Sequence, residues 1–551
     1  MPFGREITMK KILASAFIMS IVFSVSGVYA QTAAPDIKEA PKDAAAANKS
    51  ASAVPFQGGK LTVEEAIKLV LKNNQDLLDA RYDANMADTM YQKFQSKYSI
   101  YVNAEGGAEF ATNPEILKAS KGDTIETYDI SASIMKMFST GTTVAAGVTD
   151  SFTKTKYNNA ALPSAMAAME PLAYQMYSGL MPSGTTENYV PVMYASIQQE
   201  LLKNSFGYQE RAQEKMLQNA GILQRNGVKM KISGLVTGAL VDIWTVTVKK
   251  AAKDNAEISL KETRKVRDII AANVRLGISE TYDLNFYNML YAGAETKYAL
   301  ANQDYKTAVR KFYRTMNYEL DGPVPELTDV SVLTTELREV NLESAIKTAY
   351  AKRIDYNSAL VTQQNAQSEL GIQKNDALPS LVLSGTVSSM TIGNALGDTA
   401  TKAATLDTPT YEVRMKMSYP LGDSGKEVNV RDARYKLQQA NLRVDKSRRE
   451  VKDDVVTKAE MISVMYSAYQ KAKIAREESE KYYYSIQGFL KMGKIPSSAV
   501  KNALDALNDS RQRELESLVQ YNTILLQMDI ATNELLEKYN VNVDQYLAEA
   551  K

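Results

Sequence analysis

The chain has 551 residues and nearly balanced charge, 65 Lys and Arg against 64 Asp and Glu, with neither Cys nor His. That balance offers no electrostatic footprint for nucleic acid. The two missing residue types exclude disulfides, a lipidated cysteine, Ser-His and Cys nucleophiles and His/Cys metal sites. No cofactor is expected, and only carboxylate, Lys or Tyr chemistry remains.

At the N-terminus, Lys10 and Lys11 precede an apolar run over 12–25, followed by Gly27, Val28, Tyr29, Ala30 and Gln31. The pattern reads as a secretory signal over 1–30, cut after Ala30 and too short to span a membrane as a helix. Met9, directly before the lysines, is an alternative start to Met1. Residues 31–59, rich in Ala, Pro and Lys without an apolar period, read as a flexible tether. Beyond the signal no run reaches the roughly 20 apolar residues of a membrane helix, so a spanning form would have to use strands.

From Leu61 the chain is written twice. "LTVEEAIKLVLKNNQDL" returns as "VNLESAIKTAYAKRIDY" from Val340, with Ala66-Ile67-Lys68 on Ala345-Ile346-Lys347. Each opens on a helix-capping residue, Thr62 or Asn341, and Thr62 with Glu65 forms a capping box. The first repeat covers 60–330 and the second 331–539, with 540–551 as a tail. Each half reads as a helix, strands, a very long helix and a returning helix.

The strands show a period of two. Ile100, Val102, Ala104, Gly106, Ala108 and Phe110 fall on even positions, and Leu381, Leu383, Gly385 and Val387 on odd ones. In "TYEVRMKMSYP", Tyr411, Val413, Met415, Met417 and Tyr419 alternate with Glu412, Arg414, Lys416 and Ser418. Such alternation marks a strand with one apolar and one polar face. The apolar face could meet a second sheet or lipid. At about 3.4 Å per residue the run spans roughly 27 Å, close to the apolar band of an outer-membrane barrel.

No Pro occurs between Pro191 and Pro323, and after Pro420 only Pro496 follows. Helices over about 203–277 and 423–493 are therefore expected, each near 100 Å at 1.5 Å per residue. Each ends in a Gly turn, "VRLGISETYDL" or "LKMGKIPSSAV", and a helix returns to about Leu320 or Tyr539. These hairpins cover about 203–320 and 423–539. Trp244, the only Trp, is expected as an interhelical core anchor.

The ordered set resembles the TolC-like outer-membrane efflux channels over roughly 60–540. It comprises the paired helix openings, the junctions "ASIQQELLKNSFGYQERAQ" and "MKMSYPLGDSGKEVNVRDA", and the two Gly-centred tips. The resemblance implies an α+β membrane protein and a homotrimer. Each chain would give four strands, within about 99–202 and 379–421, to a shared transmembrane β-barrel continued by a periplasmic α-helical barrel. Lipid is then the expected solvent for Tyr411, Val413, Met415, Met417 and Tyr419, with Glu412, Arg414 and Lys416 lining the lumen. Two departures stand out. Glu200 occupies a junction position where the family usually has Pro, as at Pro420. The offset between halves also falls from 279 residues at the first helices to 216 at the tips, so the first half carries about 60 extra residues. Part of the surplus reads as a hairpin near 127–152 turning at 139–142, and part, over 157–181, as an external loop. The sequence leaves open whether the hairpin joins the barrel or caps it.

The resemblance also implies that the hairpin tips form the periplasmic entrance and dock an adaptor protein, which links the channel to an inner-membrane transporter. On this chain the tips are Arg275, Leu276, Gly277, Ile278 and Ser279, and Lys491, Met492, Gly493, Lys494, Ile495 and Pro496. Leu276, Ile278, Met492 and Ile495 are expected to be exposed there. Family members carry acidic gate residues six positions beyond each tip Gly. Asp283 fits, whereas the second half has Ala499, leaving Asp505 as the nearest carboxylate in phase. Other readings of the chain are a periplasmic adaptor or a structural coiled-coil protein of the envelope. An enzyme is not expected, because no convergent set of nucleophile, base and positioning group is visible.

Overall fold

The computed structural model describes residues 63–114, 122–157, 184–318, 333–492 and 494–543. By internal contacts 61–317 and 329–551 form one unit; 1–60 and 318–328 form a second, of which only Tyr318 is described. The signal, the tether, Thr62 of the capping box, Gly493, the external loop beyond Tyr157 and the tail from 544 lie outside the described residues.

The first half runs through α1 (Val63–Asn73), α2 (Gln75–Met86), α3 (Thr89–Gln95), β1 (Ile100–Thr112), β2 (Thr124–Met137), β3 (Thr142–Tyr157) and β4 (Gly184–Glu200). Two long helices follow, α4 (Tyr208–Arg275) and α5 (Thr281–Thr315). The second half has α6 (Leu342–Lys352), α7 (Ile354–Asp376), β5 (Ser380–Met390), α8 (Leu396–Ala404), β6 (Pro409–Ser418), α9 (Ser424–Lys491), α10 (Ser497–Ala531) and a short α11 (Leu535–Lys538). The duplication is visible in the lengths: α1 and α6 have 11 residues each, α4 and α9 have 68, and α5 and α10 have 35. A 68-residue helix is roughly 100 Å long. Asn341 caps α6 by accepting from Ser344 N at 3.1 Å, and Asp423 caps α9 by accepting from Gly425 N at 3.0 Å.

Each opening helix packs on the long helix of its own half. α1 buries Ala66, Ile67, Val70 and Leu71 at helical spacing; Ile67 and Leu71 cluster with Val228, Ile232, Val236, Leu240 and Trp244 of α4. Trp244 is thus a core anchor, as expected. In the second half Ala345 and Ala349 of α6 meet Val451, Val455 and Ile462 of α9. Helix α10 serves both clusters, giving Leu526 to the first and Leu525 and Met528 to the second. One returning helix thereby ties the halves together.

The strands form a single antiparallel sheet in the order β1-β2-β3-β4-β5-β6. Six strands replace the four that the resemblance implies, because the extra hairpin is β2–β3 and lies inside the sheet, between β1 and β4. Its turn is where the sequence puts it, with Phe138 N donating to Thr142 O at 2.9 Å and Gly141 N to Phe138 O at 3.0 Å.

Directly opposed residues share a face, so the register sorts the sheet into two sides. One side carries Ile100, Val102 and Ala104 of β1, Ile130 and Ile134 of β2, Val144, Ala146 and Val148 of β3, Met193 and Ile197 of β4, Leu381, Leu383 and Val387 of β5, and Tyr411, Val413, Met415 and Met417 of β6. The other carries Glu105, Glu109, Asp129, Thr149, Ser196, Ser384, Glu412, Arg414 and Lys416. Across the apolar side Phe110, Tyr128, Phe152 and Tyr189 make a continuous row, with successive centroids 5.7, 6.0 and 4.7 Å apart. One row beyond it Lys154 pairs with Glu187 at 3.0 Å. Asp150 interrupts the apolar side next to that row, with its Oδ1 buried and unpartnered. Tyr419 follows the end of β6, which is exposed along its whole length.

Helix α8 has no counterpart in the sequence reading. It lies on the apolar side over β4 and β5, where Pro191, Ser389, Thr391, Thr399 and Ala403 are buried and Thr391 Oγ1 donates to Thr399 O at 2.6 Å. Its polar residues Asp398 and Lys402 pair at 2.7 Å on its exposed side.

At the β4–α4 junction Asn204, Phe206 and Gly207 all have positive φ, and Glu200 Oε2 accepts from Asn204 Nδ2 at 2.5 Å in place of the proline of the second half. Gly207 is required twice over. Its φ is +73°, and a Cβ there would sit 1.8 Å from Ser139 O in the β2–β3 turn. Gly207→Ala should therefore cost at least about 1 to 2 kcal/mol of left-handed strain plus the clash, and Gly277→Ala, with open space around it, the strain alone. Urea unfolding of the two variants checks this; equal midpoints would contradict it.

Candidate functional site at the hairpin tips

Helix α4 ends because Gly277 takes φ +72°. The Ile278 N–H then reaches Asn273 O at 2.8 Å and the Gly277 N–H reaches Val274 O at 3.1 Å, the paired hydrogen bonds of a Schellman stop. On the second hairpin Lys494 N donates to Phe489 O at 3.1 Å, closing the equivalent six-residue loop; Gly493 itself is outside the described residues. Arg275, Leu276, Gly277, Ile278, Lys491, Met492, Lys494 and Pro496 are exposed, and Ser279 is half-buried. Ile495 differs from expectation. It is half-buried against a cluster of Val266, Ile270, Tyr287, Tyr483, Leu490, Val500 and Leu504, because the two hairpins pack together just short of their ends and supply a core that neither tip has alone.

That joint core carries two polar ties between the hairpins. Tyr287 Oη, on α5, donates to Ser497 O at 2.7 Å, and Ser497 Oγ donates to Asp283 Oδ1 at 3.0 Å. Asp283 thus sits inside the contact between the tips. Asp505 accepts from Lys501 at 2.8 Å on its own helix and remains exposed. Burial, and then the charges of Asp505 and Asp283, push the Tyr287 hydroxyl above its ordinary range, so it stays a donor. Farther from the tips, Tyr483 Oη of α9 donates to Glu262 Oε2 of α4 at 3.0 Å, with Gln487 Nε2 at 3.2 Å and Lys265 Nζ on Oε1 at 2.6 Å. Burial alone would raise the Glu262 carboxyl; hydrogen bonds from Lys265, Tyr483 and Gln487 more than offset it and hold the carboxyl below its usual value. Burial, with Glu262 next, raises the Tyr483 hydroxyl.

Between the tips lies a cleft floored by Phe286, Leu490 and Ile495 and edged by Asn273, Asp283 and Ser498. The arrangement offers an exposed apolar rim, a cleft and two interhairpin ties. Sequence reasoning singled out Asp283, Leu276, Ile278 and Met492 but not Tyr287, Ser497, Glu262 or Tyr483. Tyr287 alone has a sequence signal, its place four residues beyond Asp283 on the same helix face; the others depend on contacts between distant segments.

No family model matches the chain, and no curated protein matches its sequence. Solved structures do match its fold. CusC, studied for its folding and transmembrane channel formation, aligns over 85% of this chain and 91% of its own, with TM-score 0.59 and 13% identity. The outer membrane protein VceC of Vibrio cholerae aligns over 85% and 95%, with TM-score 0.57 and 10% identity. The open state of the MtrE outer membrane channel of Neisseria gonorrhoeae aligns over 85% and 88%, with TM-score 0.57 and 13% identity. The chain has the fold of the TolC-like outer-membrane channels.

The lowered Glu262 carboxyl contributes stability that is present above its unfolded value of about 4.3 and lost as pH falls through the lower folded value. Acid should therefore loosen the packing of the two hairpins below about pH 4, seen as faster proteolysis near 262 and 483. Glu262→Gln should remove that part of the acid response while costing about 1 to 3 kcal/mol at neutral pH. An unchanged acid profile would show that Glu262 is not the group responsible.

Proposed function

We propose that this chain is the outer-membrane channel of a tripartite efflux or type I secretion system. Three copies form a passive duct from periplasm to exterior, and an inner-membrane transporter supplies the energy through a periplasmic adaptor. The observation that carries the reading is one chain in which a two-faced sheet runs directly into two hairpins of 68- and 35-residue helices. A strand array apolar on one side and polar on the other fits a wall between lipid and water, and the aromatic row fits one interface of the membrane. Helices of roughly 100 Å fit a duct that crosses the periplasm. A periplasmic adaptor or an envelope coiled coil has no use for such a sheet. Nothing in the sequence resembles the phosphate-cradling G-x-x-x-x-G-K loop, consistent with a duct that does no work itself.

In this reading Tyr411, Val413, Met415, Met417 and Tyr419 meet lipid, and Glu412, Arg414 and Lys416 line the lumen. The tips, 275–279 and 491–496, form the periplasmic entrance. Leu276, Ile278 and Met492, 72%, 59% and 58% exposed, are the apolar contacts offered to the adaptor. Asp283 and Asp505 stand within the first turns of the returning helices, where threefold repetition would bring carboxylates together and favour cations.

Gly277→Asp should abolish export and adaptor cross-linking and leave the trimer in the outer membrane; retained cross-linking would remove the docking role. Met415→Arg should cost roughly 2 to 4 kcal/mol of barrel stability, whereas Lys416→Ala should change conductance and spare assembly. The reverse pattern would invert the facing. Asp283→Asn should weaken cation preference in bilayer recordings, and unchanged selectivity would take that residue out of the gate.

A further inference from the structure

Among the described residues, two edges of the sheet, those of β1 and β6, are unpaired. All ten residues of β6 are exposed, and β1 is exposed along all but one of its positions, whereas β2 to β5 are mostly half-buried. In hydrocarbon each unpaired backbone N–H or C=O costs several kcal/mol, so a spanning sheet has to close. This chain cannot close on itself. Eight strands already leave a lumen filled by side chains, and six would have no room for Glu105, Asp129 and Arg414 on the polar side. The open edges are complementary instead. With six strands in strict antiparallel order, β6 runs opposite to β1, and joining them continues the apolar side from Val413 to Ala104 without a break in polarity.

We infer that β6 of one copy pairs with β1 of the next and that three copies close a barrel of eighteen strands, an exit wider than four strands per chain would build and suited to bulkier solutes. This rests on the channel reading above. The second observation behind it is that the additional hairpin is a wall element and not a plug. It is paired along both sides, to β1 over 13 positions and to β4 over 16, and its turn is seated against Gly207 at the root of α4. With strands about 4.8 Å apart and tilted about 40°, eighteen strands give a backbone diameter of roughly 36 Å, against roughly 24 Å for twelve.

The chain has no native Cys, so engineered pairs report cleanly. Ala104→Cys, Gly106→Cys and Ala108→Cys are each combined with Val413→Cys in the full-length protein and oxidised in outer-membrane fractions. Covalent dimers and trimers, and nothing larger, are expected from at least one pair; their absence from all three overturns the inference. A deletion of 113–183, joining β1 to β4 through a short Gly-Ser loop, should keep the trimer and lower the size limit for neutral polymers entering from the outer side by about a third in diameter. If wild type and deletion exclude the same polymers, the hairpin is not part of the wall and the inference fails, with the channel function untouched. If the wild-type protein forms no pore at all, the channel reading itself fails. Should the deletion not fold, disulfides within one chain decide: Ala104→Cys with Ala132→Cys and Ala146→Cys with Ala195→Cys should each close in the outer membrane, and failure of both takes the hairpin out of the wall and overturns the inference.

Discussion

Register is the constraint on which the rest of this structure depends. A strand side chain changes face with every residue, so a slip of one position anywhere among the six strands would carry a whole apolar set onto the polar side. The ladders hold Val413 opposite Gly385, Gly385 opposite Ile197, Ile197 opposite Val144, Val144 opposite Lys136 and Lys136 opposite Ile100, and the sides stay in phase through five successive pairings. Lys136 lies at the edge next to the helices and the Lys154–Glu187 pair beyond the aromatic row at the other end. Asp150 is the exception within the band. Its buried, unpartnered Oδ1 is a cost that the surrounding sheet has to offset.

The duplication explains how one chain supplies both a two-faced sheet and two matched helical hairpins. The two hairpins match residue for residue in length, so their tips come level, and their joint core of Val266, Ile270, Tyr483 and Leu490 depends on that match. Lengthening one hairpin alone would separate Tyr287 from Ser497 and Glu262 from Tyr483. Insertions are tolerated elsewhere. The first half has gained a hairpin in the sheet and the second a helix, α8, on its apolar side, both at the end of the molecule where no equal-length partner is required. The bend between α2 and α3, where the second half has the single helix α7, is another local difference that leaves the long helices unaffected.

Much of this was legible in the chain. The long helices follow from stretches without Pro, the stop of the first from Gly277, and the sidedness of β1, β5 and β6 from a period of two. These are local signals. Which strand lies beside which is not local: the β2–β3 turn could be read at 139–142, but nothing in its own residues says that β2 pairs with β1. The burial of Ile495 was missed for the same reason, since it depends on Val266, Ile270 and Tyr287 arriving from the other hairpin. Helix α8 escaped because nine residues make barely two and a half turns, too short a window for its apolar face to stand out between two strands. At the tips, Asp283 was singled out by its distance from Gly277, yet its contact with Ser497 spans 214 residues of sequence.

The central claim is that one side of the sheet meets lipid and the other meets water, and two adjacent residues of β6 test it most directly. Single cysteines at Met415 and Lys416, labelled with a fluorophore in reconstituted bilayers, can be exposed in turn to a quencher attached to lipid tails and to one dissolved in water. The label at 415 should be quenched from the lipid and the label at 416 from the water. Equal quenching of both from the water, or the reverse assignment, would contradict the account.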